Sequence, residues 1–224
     1  FGRVLQDGAK AAAERIGRGA EQYAMHIGGE EVPMHDPRLS PGLAASYKMD
    51  ATPGRHTQMS AWTVEAQFAP PGLVTEQFDK YKYTGKGQIH RRVSNHHHAS
   101  SAAGMCIFAW CVLPPECLPD VLTCVTGRKY TLEEIDRIGA RIAALRIAFN
   151  LREGVRNIDI KIPGRVVGDP PLKDGPVAGV TVDVDTQVRE YLEAMGWDPA
   201  TGVPKKETLL ELGLDFAAAD LHGK

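Results

Sequence analysis

Between Thr131 and Phe149 apolar side chains return every three or four residues, at Ile135, Ile138, Ile142, Leu145 and Phe149. That period predicts one long helix with a single apolar stripe, and such a stripe has to be buried against another element. The start of the helix is marked too. Thr131 and Glu134 form a Thr-x-x-Glu capping box, in which each side chain satisfies the other residue's backbone N–H. The rest of the sequence offers partner helices. Val4, Leu5, Ala9, Ala12, Ala13 and Ile16 share a face over 4–16, which Gly17 and Gly19 terminate. Leu43–Met49 predicts one or two turns, Ile89–Ala109 a helix weakened by Gly104, Thr186–Met195 a helix capped from within Thr181–Asp185, and Lys205–Leu212 a short one.

Between these helices the sequence is punctuated by turn formers. A short apolar piece, Tyr23–Ile27, runs into Gly28-Gly29, Pro33, Asp36-Pro37 and Pro41-Gly42. Pro53-Gly54, Pro70-Pro71-Gly72 and Gly85-Lys86-Gly87 follow, and the stretch 60–88 yields no assignment. Residues 155–182 carry prolines and glycines without any period and predict an extended excursion over the surface. No repeat of fixed length is present. The fold class that results is mainly α: one irregular helical domain over 1–224, with long Pro/Gly-rich connections.

Composition excludes several function classes. The 224 residues are 43% apolar, enough for a sizeable core. With 28 acidic and 26 basic residues the net charge is -2, so no basic surplus points to nucleic acid or to an acidic membrane surface. Apolar runs such as Met105–Leu113 are far too short to span a bilayer. The opening residues lead into an alanine-rich helical pattern, unlike a secretory signal. All four cysteines, Cys106, Cys111, Cys117 and Cys124, cluster in one region instead of spreading to close large loops. That clustering suits a reduced, cytoplasmic protein with a possible metal role.

Three segments carry candidate chemistry. His26 leaves an apolar piece and is followed by two glycines that let backbone approach a ligand; histidine exchanges protons near neutral pH. The plainer alternative is a turn in which His26 and His35 satisfy backbone groups. In Ser101-Ala-Ala-Gly-Met-Cys106 small residues surround a thiol, which permits close approach of a bulky group, and a thiolate is a good iron ligand. The alternative is a buried free cysteine. One cysteine cannot hold a cluster alone, and the spacings to Cys111, Cys117 and Cys124 match no familiar iron–sulfur or zinc pattern, so those three are read as core thiols. His96-His97-His98 point about 100° apart on a helix and cannot converge on one ion. They are read as a partly solvated helix face; His90 and His97, seven residues apart, share a face and make a weak pair.

In combination these segments resemble the aldehyde:ferredoxin oxidoreductase family. The resemblance lies in His26-x-Gly-Gly-x-Glu-x-Pro-x-x-Asp-Pro-Arg38, Pro41-Gly-Leu-Ala-x-x-Tyr47, Ala51-Thr52 and Arg55-His56. It continues in Ser101-Ala-Ala-Gly-Met-Cys106, similar to the family's Asp-x-x-Gly-Leu-Cys motif, and in Gly127. Arg146-Ile-Ala-Phe-Asn-Leu-Arg-Glu-Gly154, Leu172-Lys-Asp-Gly-Pro176 and Tyr191-Leu-Glu-Ala-Met-Gly-Trp197 complete it. Nearly all of the chain is covered, most thinly over residues 60–90.

The resemblance implies an enzyme in which two pterins hold one tungsten, sometimes molybdenum, beside a single 4Fe–4S cluster. Three cluster cysteines come from a Cys-x-x-Cys-x-x-x-Cys run in an earlier domain. By resemblance Cys106 is the fourth ligand, Ser101, Gly104 and Met105 meet the pterin, and His26 moves protons near the metal. The implied reaction oxidises a small aldehyde to a carboxylic acid and passes electrons to ferredoxin or another electron-transfer subunit. The N-terminal domains that hold the pterin base and the three-cysteine run are absent from this sequence, so the chain by itself is expected to be inactive. Two positions depart from the family pattern: Gly28 stands where lysine is frequent, and Ser101 where aspartate is usual. Serine hydrogen-bonds but carries no charge. Two rival readings follow: the tungsten subunit of a benzoyl-CoA reductase-like enzyme, and a non-catalytic helical module that binds a partner.

Overall fold

A computed structural model describes residues 2–59 and 61–223; Ser60, at the head of the unassigned 60–88 stretch, lies outside the described residues. The first predicted helix is present in two pieces, α1 (Gly2–Gln6) and α2 (Gly8–Ile16). The Tyr23–Ile27 piece ends in a hairpin, with β1 (His26–Ile27) antiparallel to β2 (Glu30–Glu31) and His26 opposite Glu31. Gly28 and Gly29 take φ of 63° and 100°. A two-residue hairpin loop needs positive φ at both positions, and glycine provides it without a Cβ clash.

α3 (Gly42–Met49) is the expected short helix, buried on nearly every side. The stretch that resisted assignment contains α4 (Trp62–Glu65) and is pinned by a buried ion pair. Glu65 accepts from Gly42 N–H at 2.6 Å, at the head of α3, and pairs with Lys86 Nζ at 3.0 Å. Burial raises the Glu65 carboxyl even against the pull of Lys86. Lys86 then leads directly into α5 (Gly87–Ala102).

The predicted 89–109 helix stops at Ala102 and restarts as α6 (Ile107–Val112). α7 (Cys117–Thr126) was not foreseen. α8 (Leu132–Arg152) begins where the capping box placed it: Glu134 N–H donates to Thr131 Oγ1 at 3.2 Å, and Thr131 N–H donates to the Glu134 carboxylate at 3.0 Å. The 155–182 excursion is mostly irregular and holds two short helical turns, a 3-10 turn at Asn157–Asp159 and α9 (Gly164–Val167). Asp183 caps α10 (Val184–Ala194), accepting from Thr186 N–H at 3.0 Å. α11 (Lys206–Glu211) matches expectation, and α12 (Asp215–His222) was not foreseen. The chain is mainly α, as predicted. No described helix is long and apolar enough to cross a membrane.

At the centre α5 lies against α8, and α10 lies against α5 and α3. The main core joins Met49, Met59, Ile147, Tyr191, Leu192 and Trp197 with residues of α11 and α12. Two expectations about faces are corrected here. The buried face of α8 is Gly139, Ala140, Ala143, Ala144 and Ala148 with Ile135 and Ile147, whereas Leu145 and Phe149 of the predicted stripe are 39% and 54% exposed. Close approach of α5 selects small residues, which turns the larger ones outward. The second correction concerns α5. Ser94, Asn95, His96, His97, His98 and Ser100 are all buried, so the histidine run is an interior feature rather than a solvated face.

Two of these buried histidines meet Trp110. Trp110 Nε1–H donates to His96 Nδ1 at 2.7 Å, and the His97 ring stacks on Trp110 with centroids 4.7 Å apart. His90 has no partner for either ring nitrogen among the described residues. Burial is the first cause of lowered pKa in each. His90, beside Lys86, and His98, beside Arg146, are pushed down to about 3, and His97 to about 4.

Candidate functional site

The turn that ends α5 fixes the Ser101–Cys106 segment. Met105 N–H donates to Ser100 O and Gly104 N–H to Ser101 O, both at 3.0 Å, with Gly104 at φ 80°. This is the Schellman pattern, two crossed bonds closed by a left-handed residue. The glycine is therefore required by the backbone. Room for a bulky group is there as well: a Cβ at Gly104 would meet nothing within 4 Å. Met105 turns inward and packs on both the Val93–Trp110 and the Leu118–Ile135 clusters. Cys106, next in the chain and at the head of α6, is exposed.

Ser101 is oriented by the helix behind it. His97 Nδ1 lies 2.7 Å from the carbonyl oxygen of Gln58, which can only accept, so Nδ1 carries the hydrogen. His97 Nε2 then accepts, and the Ser101 hydroxyl at 3.3 Å donates to it. With its hydrogen committed inward, the exposed Ser101 oxygen offers lone pairs to the outside. An aspartate at this position would also present acceptors, but with charge.

The two helices that follow the turn carry exposed apolar side chains. Phe108 and Val112 of α6 are 71% and 66% exposed, and Val121 and Val125 of α7 are exposed as well. Of the other cysteines only Cys111 is buried, and burial pushes its thiol up to about 11. Cys117 is half-buried and Cys124 is exposed, so the expectation of three core thiols holds for one. Among the described residues no three His, Cys, Asp or Glu side chains converge as a metal site. Cys106 is thus a single outward thiol beside small residues.

His26 belongs to a different neighbourhood. Its hairpin covers the Ile27–Leu43–Tyr47–Trp62 cluster, which meets the Trp110 cluster through Phe68. The His26 ring is half-buried, and its Nδ1 is buried without a partner among the described residues. Close by is a ring group of which the sequence had pointed to His35 only as a turn residue, to His56 only within the resemblance, and to Trp62 not at all. The His35 ring lies 4.3 Å from that of His56 and 5.1 Å from that of Trp62, centroid to centroid. Tyr47 OH donates to His35 O at 2.9 Å, and Trp62 Nε1–H donates to His56 O at 2.8 Å. Burial, then the His35 ring, lowers the His56 pKa. Single histidines on either side of α3, each in a turn-rich connection, carry no periodic signal that would have brought them together.

The Asp36-Pro37-Arg38 corner is closed by its own charges. Asp36 accepts from Arg38 N–H at 2.8 Å and from the guanidinium at 2.7 to 3.2 Å. Burial works to raise the Asp36 carboxyl, and the Arg38 side chain and backbone outweigh it, so the pKa is lowered. Behind this corner is a cavity of about 610 Å³ between residues 25–38 and 165–173.

Residues 1–214 match the family described as aldehyde ferredoxin oxidoreductase, domains 2 and 3. Among similar curated proteins, the tungsten-containing aldehyde ferredoxin oxidoreductase of Pyrococcus abyssi is 27% identical over 218 residues. That of Pyrococcus furiosus is 28% identical over 219. Each alignment takes in 96% of this chain and 34% of the relative, so the chain spans about a third of those proteins. A solved chain from the active-site complex BamBC of benzoyl coenzyme A reductase, in complex with 1,5-dienoyl-CoA, shares the fold. Its TM-score is 0.64 at 22% identity, covering 98% of this chain and 37% of that one. With a single family model running through the helical core, the Schellman turn and the outward Cys106 alike, this chain belongs to the aldehyde ferredoxin oxidoreductase family.

Proposed function

We propose that the chain forms one wall of a tungsten- or molybdenum-bis-pterin oxidoreductase that oxidises small aldehydes to carboxylic acids. Its other domains, in the same protein, would complete the site, and ferredoxin or another electron-transfer subunit would take the electrons. The observation that carries this reading is the outward Cys106 thiol at the end of a rigid turn, with Ser101 and Gly104 open beside it. The donor set fits the groups: one thiol suits the fourth corner of a 4Fe–4S cluster whose other ligands lie elsewhere, and the small residues leave a flat ring room to approach. When bound, the pterin-held metal supplies the two-electron chemistry and the cluster the one-electron steps.

The chain's own residues hold and orient. Cys106 would give its thiolate to the cluster. Ser101, oriented by His97, would offer its oxygen to the pterin as an acceptor. Met105 anchors the turn from inside, which would leave backbone groups to meet the ring. His26 would take and return a proton, and its Nδ1 has no competing partner among the described residues. The four free cysteines suit a reduced, cytoplasmic setting.

The test is turnover of aldehydes with a low-potential electron acceptor, on the protein in the length at which the cell makes it. Oxidation to the acid is expected, and His26→Gln should lower kcat by about a hundredfold and change its pH profile. An unchanged rate and profile would remove the proton role from His26. Reduction of aryl-CoA esters, with no action on aldehydes, would favour the benzoyl-CoA reductase-like reading, which the shared fold of the BamBC chain supports.

A further inference from the structure

One cavity has no role in the reading above. It lies between the corner at 32–38 and the loop at 165–173, and its volume of about 610 Å³ falls within the range of small-molecule sites. Both walls are held in place before any ligand arrives. On one side Asp36 fixes Arg38, Ser40 N–H donates to Asp36 O at 3.1 Å, and Tyr47 holds the His35 carbonyl. On the other, Thr181 Oγ1 donates to Gly168 O at 2.7 Å and Val182 N–H to Val167 O at 2.8 Å. Pro33 and Pro37 stiffen the first wall, Pro170 and Pro171 the second. A pre-formed cleft loses little ordering entropy on binding.

Its lining combines two chemistries. Met25, Val32, Val166 and Leu172 supply apolar surface. Arg38, Arg165 and Lys173 supply three cations, and Asp36 is the one carboxylate. Asp36 is already committed to Arg38, so it cancels one charge of the three. Arg165 and Lys173 make no ion pair among the described residues. In a chain whose net charge is -2, a cleft with two uncompensated cations is a local reversal of sign.

We infer that this cleft binds an organic carboxylate, its apolar body against the valine, methionine and leucine side chains and its carboxylate between Arg165 and Lys173. A planar guanidinium matches a carboxylate in a two-pronged bond, and a flexible lysine adds the second charge. The ligand belongs to the class of acid that aldehyde oxidation releases. Binding needs no cofactor, however, so this inference and the oxidoreductase reading stand or fall separately.

The experiment is calorimetric titration of the protein, in the length at which the cell makes it, with benzoate, with neutral benzamide and with sodium sulfate. Benzoate is expected to bind at least about tenfold more tightly than either, because it alone offers both charge and an apolar ring. Arg165→Gln and Lys173→Gln, each at an exposed position and outside the oxidoreductase machinery, should each weaken benzoate by about tenfold and leave benzamide unchanged. Equal affinity for benzoate and benzamide would overturn the carboxylate assignment. So would benzoate binding that neither variant alters, or binding to the 224-residue chain that is lost in a longer natural protein, since the cleft would then be covered by another domain.

Discussion

Gly139→Ala destabilises this protein by about 3 kcal/mol and lowers its melting temperature by roughly 6–12 °C. Helix propensity alone argues the reverse, since alanine is favoured over glycine inside an exposed helix by about 1 kcal/mol. The sign is decided by what faces position 139. A methyl there would run into the carbonyl group and Cα of Asn95, on α5, well inside van der Waals contact. These are backbone atoms of the partner helix and cannot rotate away. The two helices would have to separate, and with them the Asn95 Nδ2–Asp136 hydrogen bond of 3.0 Å and the Arg91–Asp136 ion pair that set their register. Thermal unfolding of the variant reads the effect directly; a melting temperature equal to or above that of the parent would mean that α5 and α8 do not pack as described.

A second large effect is acid lability. His90, His97 and His98 are held neutral by burial, with folded pKa values of about 3, 4 and 3 against 6.5 in a free chain. Their folded values are depressed, so above pH 6.5 neither state takes up protons and nothing is lost. As pH falls through 6.5 the unfolded chain is protonated first, and stability drops by about 1.4 kcal/mol per pH unit for each histidine once titration is under way. The three together cost about 4 kcal/mol between pH 7 and pH 5.5. The raised carboxyls of Asp50 and Glu65 act with opposite sign, since each takes up its proton more readily in the folded state. Urea midpoints across this range should fall steeply. His90→Leu, which removes a ring with no hydrogen-bond partner, should flatten the slope by about a third without loss at pH 7. A midpoint independent of pH between 7 and 5.5 would contradict the buried, neutral assignment.

Sequence reasoning read those features whose cause is local. The box at Thr131 and Glu134, and the start of α10, were legible because a cap involves residues three apart. The faces were less so. Large apolar side chains on α8 give the clear period, but helix packing at the centre needed the small ones, Gly139 through Ala148, and left Leu145 and Phe149 outside. α5 misled for a related reason: Ser94, Asn95 and three histidines count as polar in any pattern, yet every one is buried through specific partners or van der Waals contact.

The candidate site divides along the same line. Ser101–Cys106 is one turn of chain, so its motif was visible and the structure adds the reason for Gly104. The direction in which Ser101 presents its oxygen depends on Gln58, far away in sequence, through His97. The cleft between 25–38 and 165–173, and the ring cluster of His35, His56 and Trp62, are products of the fold and leave no sign in spacing.

The central claim is that Cys106 completes an iron–sulfur cluster whose other ligands lie outside this chain. Iron content and the electron paramagnetic resonance of the reduced protein, measured at natural length with Cys106 intact and as Cys106→Ala, test it most directly. About four irons per chain and a 4Fe–4S signal are expected with the cysteine present, and loss of that signal with a fall in iron when it is replaced. An unaltered four-iron centre in Cys106→Ala would show that this thiol is no ligand and would contradict the account.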